Sequence, residues 1–374
     1  MFTLFIIILA SWLFALLNTI LNLRLVPRLR MRALAKTPLV SIIVPARDEE
    51  REIERAVRAM LAQSYPNFEV IVVNDRSVDA TGEILASIHD PRLIVVTGEE
   101  PAAGWLGKPW ALHQGSRRAM GELLLFVDAD VIYHVDTVAA AVAQFENNDM
   151  ALLALLPRLE TRGFWESVVM PNLMMFGVSF LPIWLANRTH MPRIAIGGGP
   201  GNMVRRVDYE AAGGHASLRD AVVDDVALAR LMRRRGRRTE VARAEDFVSV
   251  RMYHGFGEII RGFTKNAFAV FGRNYFIATL VMLATIVFHL LPYALAFTGN
   301  LLAIAIVIVI TLIRVILYTD VGDRLDNALF AHPLMVGVWL YIVARSTWLT
   351  GVRRQLEWRG RTYDASQTKF GAEE

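Results

Sequence analysis

Two kinds of hydrophobic pattern divide this chain. Residues 2–23 carry no charge and form an apolar run about as long as a helix needs to cross a bilayer. No basic segment precedes the run, and it is longer than the apolar part of a secretory leader. A membrane anchor is therefore expected over a cleaved signal, although Ala33-Leu34-Ala35 has the form of a small-residue cleavage site. From residue 39 the pattern changes. Short β-branched runs at 39–45, 68–74, 92–97, 122–128 and 150–156 alternate with helical periodicity, which predicts an α/β domain with a mostly parallel sheet covered by helices. After Arg273 come three further apolar stretches, roughly 276–298, 301–318 and 328–349.

Between these regions, residues 164–185 are apolar apart from Glu166 and are interrupted by Pro171 and Pro182. Crossing the bilayer here would separate the acidic residues before the segment from the Asp224-Asp225 pair after it. An interfacial segment is expected instead, with its aromatic side chains among the headgroups; a buried helix of the globular domain fits the periodicity equally well. The expected organisation is an anchor at 1–23, a basic linker at 24–38, the α/β domain at 39–274, a bundle of two or three spans at 275–350 and a basic tail at 351–374.

Charge orients this scheme. Arg24, Arg28, Arg30, Arg32 and Lys36 directly follow the first apolar run, and basic residues beside a span stay in the cytoplasm. The domain is thus expected on the cytoplasmic side of an inner, multi-pass membrane protein. Three C-terminal crossings would put Arg353, Arg354, Arg359 and Arg361 outside, against the same bias. Either one stretch is re-entrant or interfacial, with 328–349 (containing His332-Pro333 and Arg345) the weakest span, or the bias fails here. The absence of cysteine excludes disulfides and thiolate metal sites and fits a reducing compartment. A net charge of +4 is too small to argue for nucleic acid. The run Arg233, Arg234, Arg235, Arg237 and Arg238 reads as a lipid-headgroup contact or as the basic end of a solvated helix.

Acidic residues stand where the predicted strands end: Asp48 and Glu49, then Asp75, then Asp128 and Asp130. Ligands of open α/β sheets bind outside the carboxyl ends of the strands, so one sheet edge collects carboxylates. Taken alone, Asp128-Ala129-Asp130 is more often a turn or a helix cap. Asp48 and Asp79 could likewise cap the helices that follow them, and one member of Asp224-Asp225 could do the same.

The order of motifs is more specific than any single one. Ser41-Ile42-Ile43-Val44-Pro45-Ala46-Arg47-Asp48-Glu49-Glu50, Val73-Asn74-Asp75-Arg76-Ser77-Val78-Asp79, Asp128-Ala129-Asp130 and Asp224-Asp225 together resemble family 2 glycosyltransferases of the GT-A fold, over about residues 40–274. Gly104-Trp105-Leu106-Gly107-Lys108-Pro109-Trp110-Ala111 and Gly262-Phe263-Thr264-Lys265-Asn266 resemble the lipid-directed branch that includes hopanoid-associated and carotenoid glycosyltransferases. The resemblance implies that Pro45, Ala46, Arg47, Glu49 and Ser77 line a nucleotide-sugar pocket and that Asp75 meets the base. It further implies that Asp128 lies near ribose and metal, that Asp130 is the main ligand of Mg2+ or Mn2+, and that Asp225 is the general base with Asp224 beside it. Lys108, Arg261 and Lys265 would face the diphosphate. Asn74 stands where many relatives have Asp. Gly197-Gly198-Gly199-Pro200-Gly201-Asn202 resembles the family's glycine-rich segment between metal site and base.

The function expected from this resemblance is inverting transfer of one sugar from a nucleotide-sugar, UDP-sugar first, to a membrane-lipid hydroxyl. A processive polysaccharide synthase is the rival enzyme, but Arg261-Gly262-Phe263-Thr264-Lys265 replaces the Q-x-x-R-W motif of that class. A non-catalytic nucleotide-sensing or scaffold protein is the rival outside enzymes, and the joint presence of Asp75, Asp128, Asp130 and Asp225 speaks against it. No G-x-G-x-x-G follows the first strand, which disfavours a dinucleotide-dependent dehydrogenase. The sugar, the base, the exact lipid and the oligomeric state stay open at this level.

Overall fold

A computed structural model describes residues 2–148, 150–322, 325–352, 355–358 and 361–364. Of the tail arginines, Arg353, Arg354 and Arg359 lie outside the described residues. The chain forms two compact units, one from 26–160 and 183–252, the other from the described parts of 1–25, 161–182 and 253–367.

In the α/β unit, the main sheet contains β1 (Val40–Ala46), β2 (Phe68–Asn74), β3 (Leu93–Thr97), β4 (Leu123–Phe126), β6 (Leu152–Leu156), β8 (Asn202–Arg205) and β9 (Thr239–Arg243). Their order is β3-β2-β1-β4-β8-β6-β9. Strands β1 to β4 pair in parallel, as do β6 and β9, while β8 runs antiparallel between β4 and β6. A small second sheet joins β5 (Val131–Tyr133), β10 (Val248–Val250) and β7 (Arg158–Leu159).

Strands β1, β2, β4 and β6 are covered on both faces, so they are apolar at almost every position. Along β1, Val40, Ile42 and Val44 enter one core, shared with helices Ile53–Leu61 and Thr137–Asn147; Ile43 enters the other, shared with helices Gly107–Arg118 and Asp224–Arg234. That double burial is why the first strands stand out in the sequence.

Strands β8 and β9 do not. β9 is buried along its whole length although it contains Glu240 and Arg243. Each charge is satisfied locally: Gln144 Nε2 donates to Glu240 Oε1 at 2.8 Å, and Arg243 Nε donates to Glu245 Oε1 at 3.0 Å. The neighbouring basic run is not a single solvated face. Arg233 is buried and donates to Thr239 Oγ1 at 2.7 Å, Met191 O at 3.0 Å and Ala186 O at 2.7 Å, while Arg237 pairs with Asp208 at 2.8 Å.

The second unit is helical. Helices Phe2–Leu25, Tyr275–Ala296 and Leu301–Val321 are each long and apolar enough to cross a membrane. The stretch at 328–349 is interrupted: Leu325–Phe330 ends before His332–Ser346, and a π-helical turn, Thr347–Val352, follows. Phe5, Ile8 and Trp12 pack with Ile306, Ile310, Ile313 and Met335 in this unit's core. Phe2, Ile7, Phe14 and Leu17 point outward, as expected of a helix facing apolar surroundings. At the described end of the unit, strands Gln355–Trp358 and Arg361–Asp364 pair antiparallel.

Residues 164–185 form three short helices, Phe164–Val169, Pro171–Phe180 and Ile183–Ala186. Pro182 stops the second. At Pro171 the preceding Met170 keeps helical φ and ψ of −64° and −37°, so the chain continues in nearly the same direction. Val168, Val169, Met175 and Val178 are buried in the helical unit, whereas Phe164 and Phe176 are exposed. Glu166, the segment's one charge, is buried and accepts backbone N–H groups from Arg162 at 2.8 Å and Gly255 at 2.9 Å.

Candidate active site

The parallel pairing of β1 with β2 sets Ala46 level with Asn74, so the loops that leave these strands start side by side. They are laced together by polar side chains. Asp48 Oδ1 accepts the Val78 N–H at 2.8 Å, Ser77 Oγ accepts the Asp48 N–H at 3.0 Å, Thr81 Oγ1 accepts the Glu49 N–H at 2.8 Å and Asp79 Oδ2 accepts the Glu50 N–H at 3.0 Å. Asp48 and Arg76 adopt φ of +53° and +55°, a region in which a non-glycine residue is uncommon; both lie in this pair of loops. The helix after β1 begins at Ile53, so Asp48 works across to the second loop and does not cap that helix. Asp79 does serve the start of its own helix, accepting the Thr81 N–H at 3.0 Å.

Beneath these loops Asp75 is 2% exposed. Its N–H donates to Ala46 O at 2.8 Å, and Arg47 Nη1 donates to its carbonyl at 2.8 Å. Asn74 shapes the turn, its Oδ1 accepting the Ser77 N–H at 3.1 Å. Pro45 and Glu49 are partly buried in this same corner, beside the buried Ala46.

Next along the sheet, Asp128 and Asp130 occupy the connection between β4 and β5. The glycine-rich segment 197–202 leads into the neighbouring β8 and is threaded between two acidic groups. Gly199 O accepts the Asp128 N–H at 2.9 Å, and Asn202 Nδ2 donates to Asp225 O at 3.2 Å. A Cβ on Gly199 would lie 2.1 Å from Asp128 Oδ2, and one on Gly197 would lie 2.0 Å from Asp225 O. At Gly197 the partner is backbone and leaves no room for a side chain, whereas at Gly199 it is the end of the Asp128 side chain, which a methyl group would displace. Tyr133, whose hydroxyl donates to Pro200 O at 2.9 Å, supports the segment from below; burial, then the Asp128 charge, pushes its phenol well up.

Lys108, in the first turn of helix Gly107–Arg118, joins this group. Its Nζ lies 2.7 Å from Asp128 Oδ1 and 3.2 Å from Asp224 Oδ1. Burial works against the ammonium, but Asp128, Asp224 and Asp225 together outweigh it and hold its pKa well above the ordinary lysine value. The two acids of the pair differ. Asp224 is 5% exposed, and burial, opposed by Lys108 and reinforced by Asp225 and Asp128, pushes its carboxyl up to about 6. Asp225 is more accessible, and its Oδ1 accepts the Val226 N–H at 2.7 Å, which fixes the carboxylate at the start of helix Asp224–Arg234, where the helix dipole favours negative charge.

These residues fit a hard divalent cation. Among the described residues no group of three or more His, Cys, Asp or Glu side chains is placed to hold a metal. Mg2+ and Mn2+ bound with nucleotides need less, since one or two carboxylates suffice when phosphate and water complete the shell. Asp128, with Gly199 leaving its carboxylate uncovered on one side, and Asp130 in the same connection offer such a set.

The remaining two cations expected at the diphosphate, Arg261 and Lys265, belong to helix Gly255–Val270 of the helical unit, where Arg261 is exposed. Sequence reasoning missed Thr81 and Tyr133, whose hydroxyls position the loops by bonding to Glu49 and Pro200 and leave no recognisable spacing. It also missed the cluster of Tyr209, Ser116 and His215 behind Lys108, where His215 Nδ1 lies 2.8 Å from the Tyr209 hydroxyl. Beside Lys108 on its helix, Trp110 stacks on His113 at 5.7 Å and meets Trp105 edge to face at 4.9 Å.

Known proteins similar to this chain point to the same family as its motifs. The 4,4'-diaponeurosporenoate glycosyltransferase of Staphylococcus aureus (strain USA300) is 27% identical over 340 residues, spanning 88% of this chain and 89% of that protein. Mannosyltransferase PcManGT from Pyrobaculum calidifontis, solved in complex with GDP-Man and Mn2+, shares the fold with a TM-score of 0.54 at 20% identity, over 94% of this chain and 98% of its own. Residues 41–209 match the family model for glycosyl transferase family 2. That stretch includes Asp75, Lys108, Asp128 and Asp130, so the chain carries a family 2 glycosyltransferase domain of the GT-A fold and is a glycosyltransferase.

Proposed function

We propose that this enzyme is membrane-bound, faces the cytoplasm and transfers a single sugar, with inversion, from a nucleotide diphosphate sugar to a hydroxyl of a membrane lipid. The observation that carries this reading is the cluster of Lys108, Asp128, Asp224 and Asp225 at the carboxyl end of a mostly parallel sheet, in a chain with three candidate membrane-spanning helices among its described residues. A soluble acceptor would need no such helices. The Staphylococcus aureus relative is named for a carotenoid, which favours an acceptor of the same apolar kind.

In this reading Asp75 and the laced loops around Arg47, Glu49 and Ser77 hold the nucleotide. Asp130 and Asp128 hold Mg2+ or Mn2+, which when bound neutralises charge on the departing diphosphate. Lys108 supplies further positive charge where negative charge develops. Asp225 takes the proton of the attacking hydroxyl, which is a poor nucleophile while neutral. One base acting opposite the leaving group, with no carboxylate assigned as a nucleophile, gives inversion in a single displacement. The basic residues from Arg24 to Lys36 support the cytoplasmic placement, where nucleotide-sugars are made.

The test is product analysis. Purified full-length enzyme in lipid nanodiscs, given UDP- or GDP-sugars, Mn2+ and a membrane lipid extract containing hydroxylated polyisoprenoids, should yield lipids heavier by one hexose unit by mass spectrometry. A polymer would favour the processive rival. Absence of donor turnover across the nucleotide-sugars would favour a non-catalytic role.

A further inference from the structure

We infer that Lys108 and the divalent cation compete for the Asp128 carboxylate, and that an arriving nucleotide diphosphate draws the ammonium away and so admits the cation. This rests on the reading of Asp128 and Asp130 as the metal site. It adds a step that the reading does not contain: an exchange of cations on one carboxylate, driven by the donor.

The geometry argues for it in three ways. First, Lys108 Nζ is in direct contact with Asp128, at 2.7 Å from Oδ1, so the ammonium occupies one of the two carboxylate oxygens a metal would use. The other oxygen, Oδ2, faces Gly199, where only the lack of a side chain leaves room, since a methyl group there would reach to 2.1 Å. Second, the ammonium is tethered. Asp224, 5% exposed, holds it at 3.2 Å, and a buried carboxylate keeps its counter-ion because losing it leaves an uncompensated charge. Third, Lys108 is the first-turn residue of a helix packed on the sheet, so its stem is fixed while its four-carbon side chain can swing.

A metal entering alone must therefore displace an ammonium that Asp224 and Asp225 still hold beside Asp128. A diphosphate supplies another destination for the ammonium, and the metal at the same time. Metal and nucleotide should then bind with positive coupling, and by linkage each should strengthen the other by the same factor. Part of this coupling is the direct contact of metal with phosphate. The remainder belongs to Lys108 and disappears with its charge.

The experiment measures Mn2+ binding, without turnover, on full-length protein in detergent by the loss of the free Mn2+ signal in electron paramagnetic resonance. It compares wild type, the neutral variants Lys108→Met and Lys108→Gln, and the charge-keeping Lys108→Arg, each with and without UDP. A thermal melt confirms that each variant is folded, and two neutral variants guard against the failure of one. Without UDP, the neutral variants should bind Mn2+ about tenfold or more tightly than wild type, within the usual range of coupling between sites. Lys108→Arg should stay near wild type, and UDP should strengthen Mn2+ binding more in wild type than in Lys108→Met. The exchange is overturned if UDP recruits Mn2+ to the wild type but both neutral variants, without UDP, bind Mn2+ no more tightly than wild type does. If UDP recruits Mn2+ to none of the proteins, the divalent-cation reading itself falls, a result distinct from the first.

Discussion

Gly199 and Asp128 are so close that a methyl group on the glycine would stand 2.1 Å from Oδ2 of the carboxylate. The obstructed atom is the end of a side chain, which can rotate away; Gly199→Ala should therefore fold and displace Asp128. Gly197 differs, because its added methyl would meet the Asp225 carbonyl at 2.0 Å, a backbone atom that cannot rotate aside. Gly199→Ala should keep a melting temperature near wild type and lose about tenfold or more in Mn2+-dependent UDP affinity, one coupling interaction's worth. Gly197→Ala should cost about 1–3 kcal/mol of stability, the usual range for overpacking. Thermal melts beside nucleotide titrations separate the two, and a Gly199→Ala protein with full donor affinity would remove Asp128 from the donor site.

The two members of the acidic pair should fail in different ways. Asp225→Asn keeps shape and loses basicity, so donor binding should be nearly normal while turnover falls at least ~100-fold, the scale of a lost general base. Asp224 is buried against Lys108, so Asp224→Asn should act through the lysine and raise the donor KM more than it lowers kcat. Steady-state kinetics on both variants decides. A dead Asp224→Asn beside a near-normal Asp225→Asn would mean that the base is the other acid, and two active variants would make the pair structural.

Much of this architecture can be read in the chain before any coordinates. The edge strand β3 is legible from its β-branched run although much of it is exposed, and strands buried on both faces leave continuous apolar runs, so β1, β2, β4 and β6 fall close to where periodicity puts them. β9 is as buried as they are, yet its Glu240 and Arg243 break the run, and their partners Gln144 and Glu245 cannot be guessed from spacing. The short β8 is masked by the glycines that precede it. At the site, ordered motifs placed Asp75, Asp128 and Asp225 at strand and helix ends. Asp224's contact with Lys108 was not legible, because two motifs far apart in the chain are brought together only through the sheet order β1-β4-β8.

Behind Lys108, His215 is fully enclosed, and burial, then the nearby Lys108 and His113, pushes its pKa down to about 3. An unfolded histidine titrates near ~6.5. The folded pKa is depressed, so the contribution to stability is fully present above pH ~6.5 and is lost as pH falls towards 3, by up to ~1.4 kcal/mol per pH unit. His215→Asn, which keeps a polar atom for the Tyr209 hydroxyl, should remove that slope. Denaturant unfolding between pH 7 and pH 4 tests this, and parallel pH dependences for wild type and variant would show that His215 is not the titrating group.

In the helical unit, the first apolar helix carries polar residues with a structural task. Pro182 ends helix Pro171–Phe180, and the last carbonyls of a helix lack intrahelical donors. Asn22 Nδ2 supplies them, donating to Val178 O at 2.7 Å and Leu181 O at 2.8 Å, and Asn18 Nδ2 lies 3.1 Å from both Ser179 O and Leu181 O. Both side chains are buried. Asn22→Leu should leave Val178 O and Leu181 O only the longer contacts from Asn18, at 3.4 and 3.1 Å, and removing Asn18 as well should leave them unsatisfied, which costs about 1–3 kcal/mol per buried group. The melting temperature in detergent should fall for Asn22→Leu and further for the double variant with Asn18→Leu. Ser11→Ala is the control: that hydroxyl is exposed and bonds only its own helix, at Ile7 O, so the melt should not move. Should Asn22→Leu melt with the control, water or lipid headgroups already reach those carbonyls, and the asparagines do not tie the two helices together.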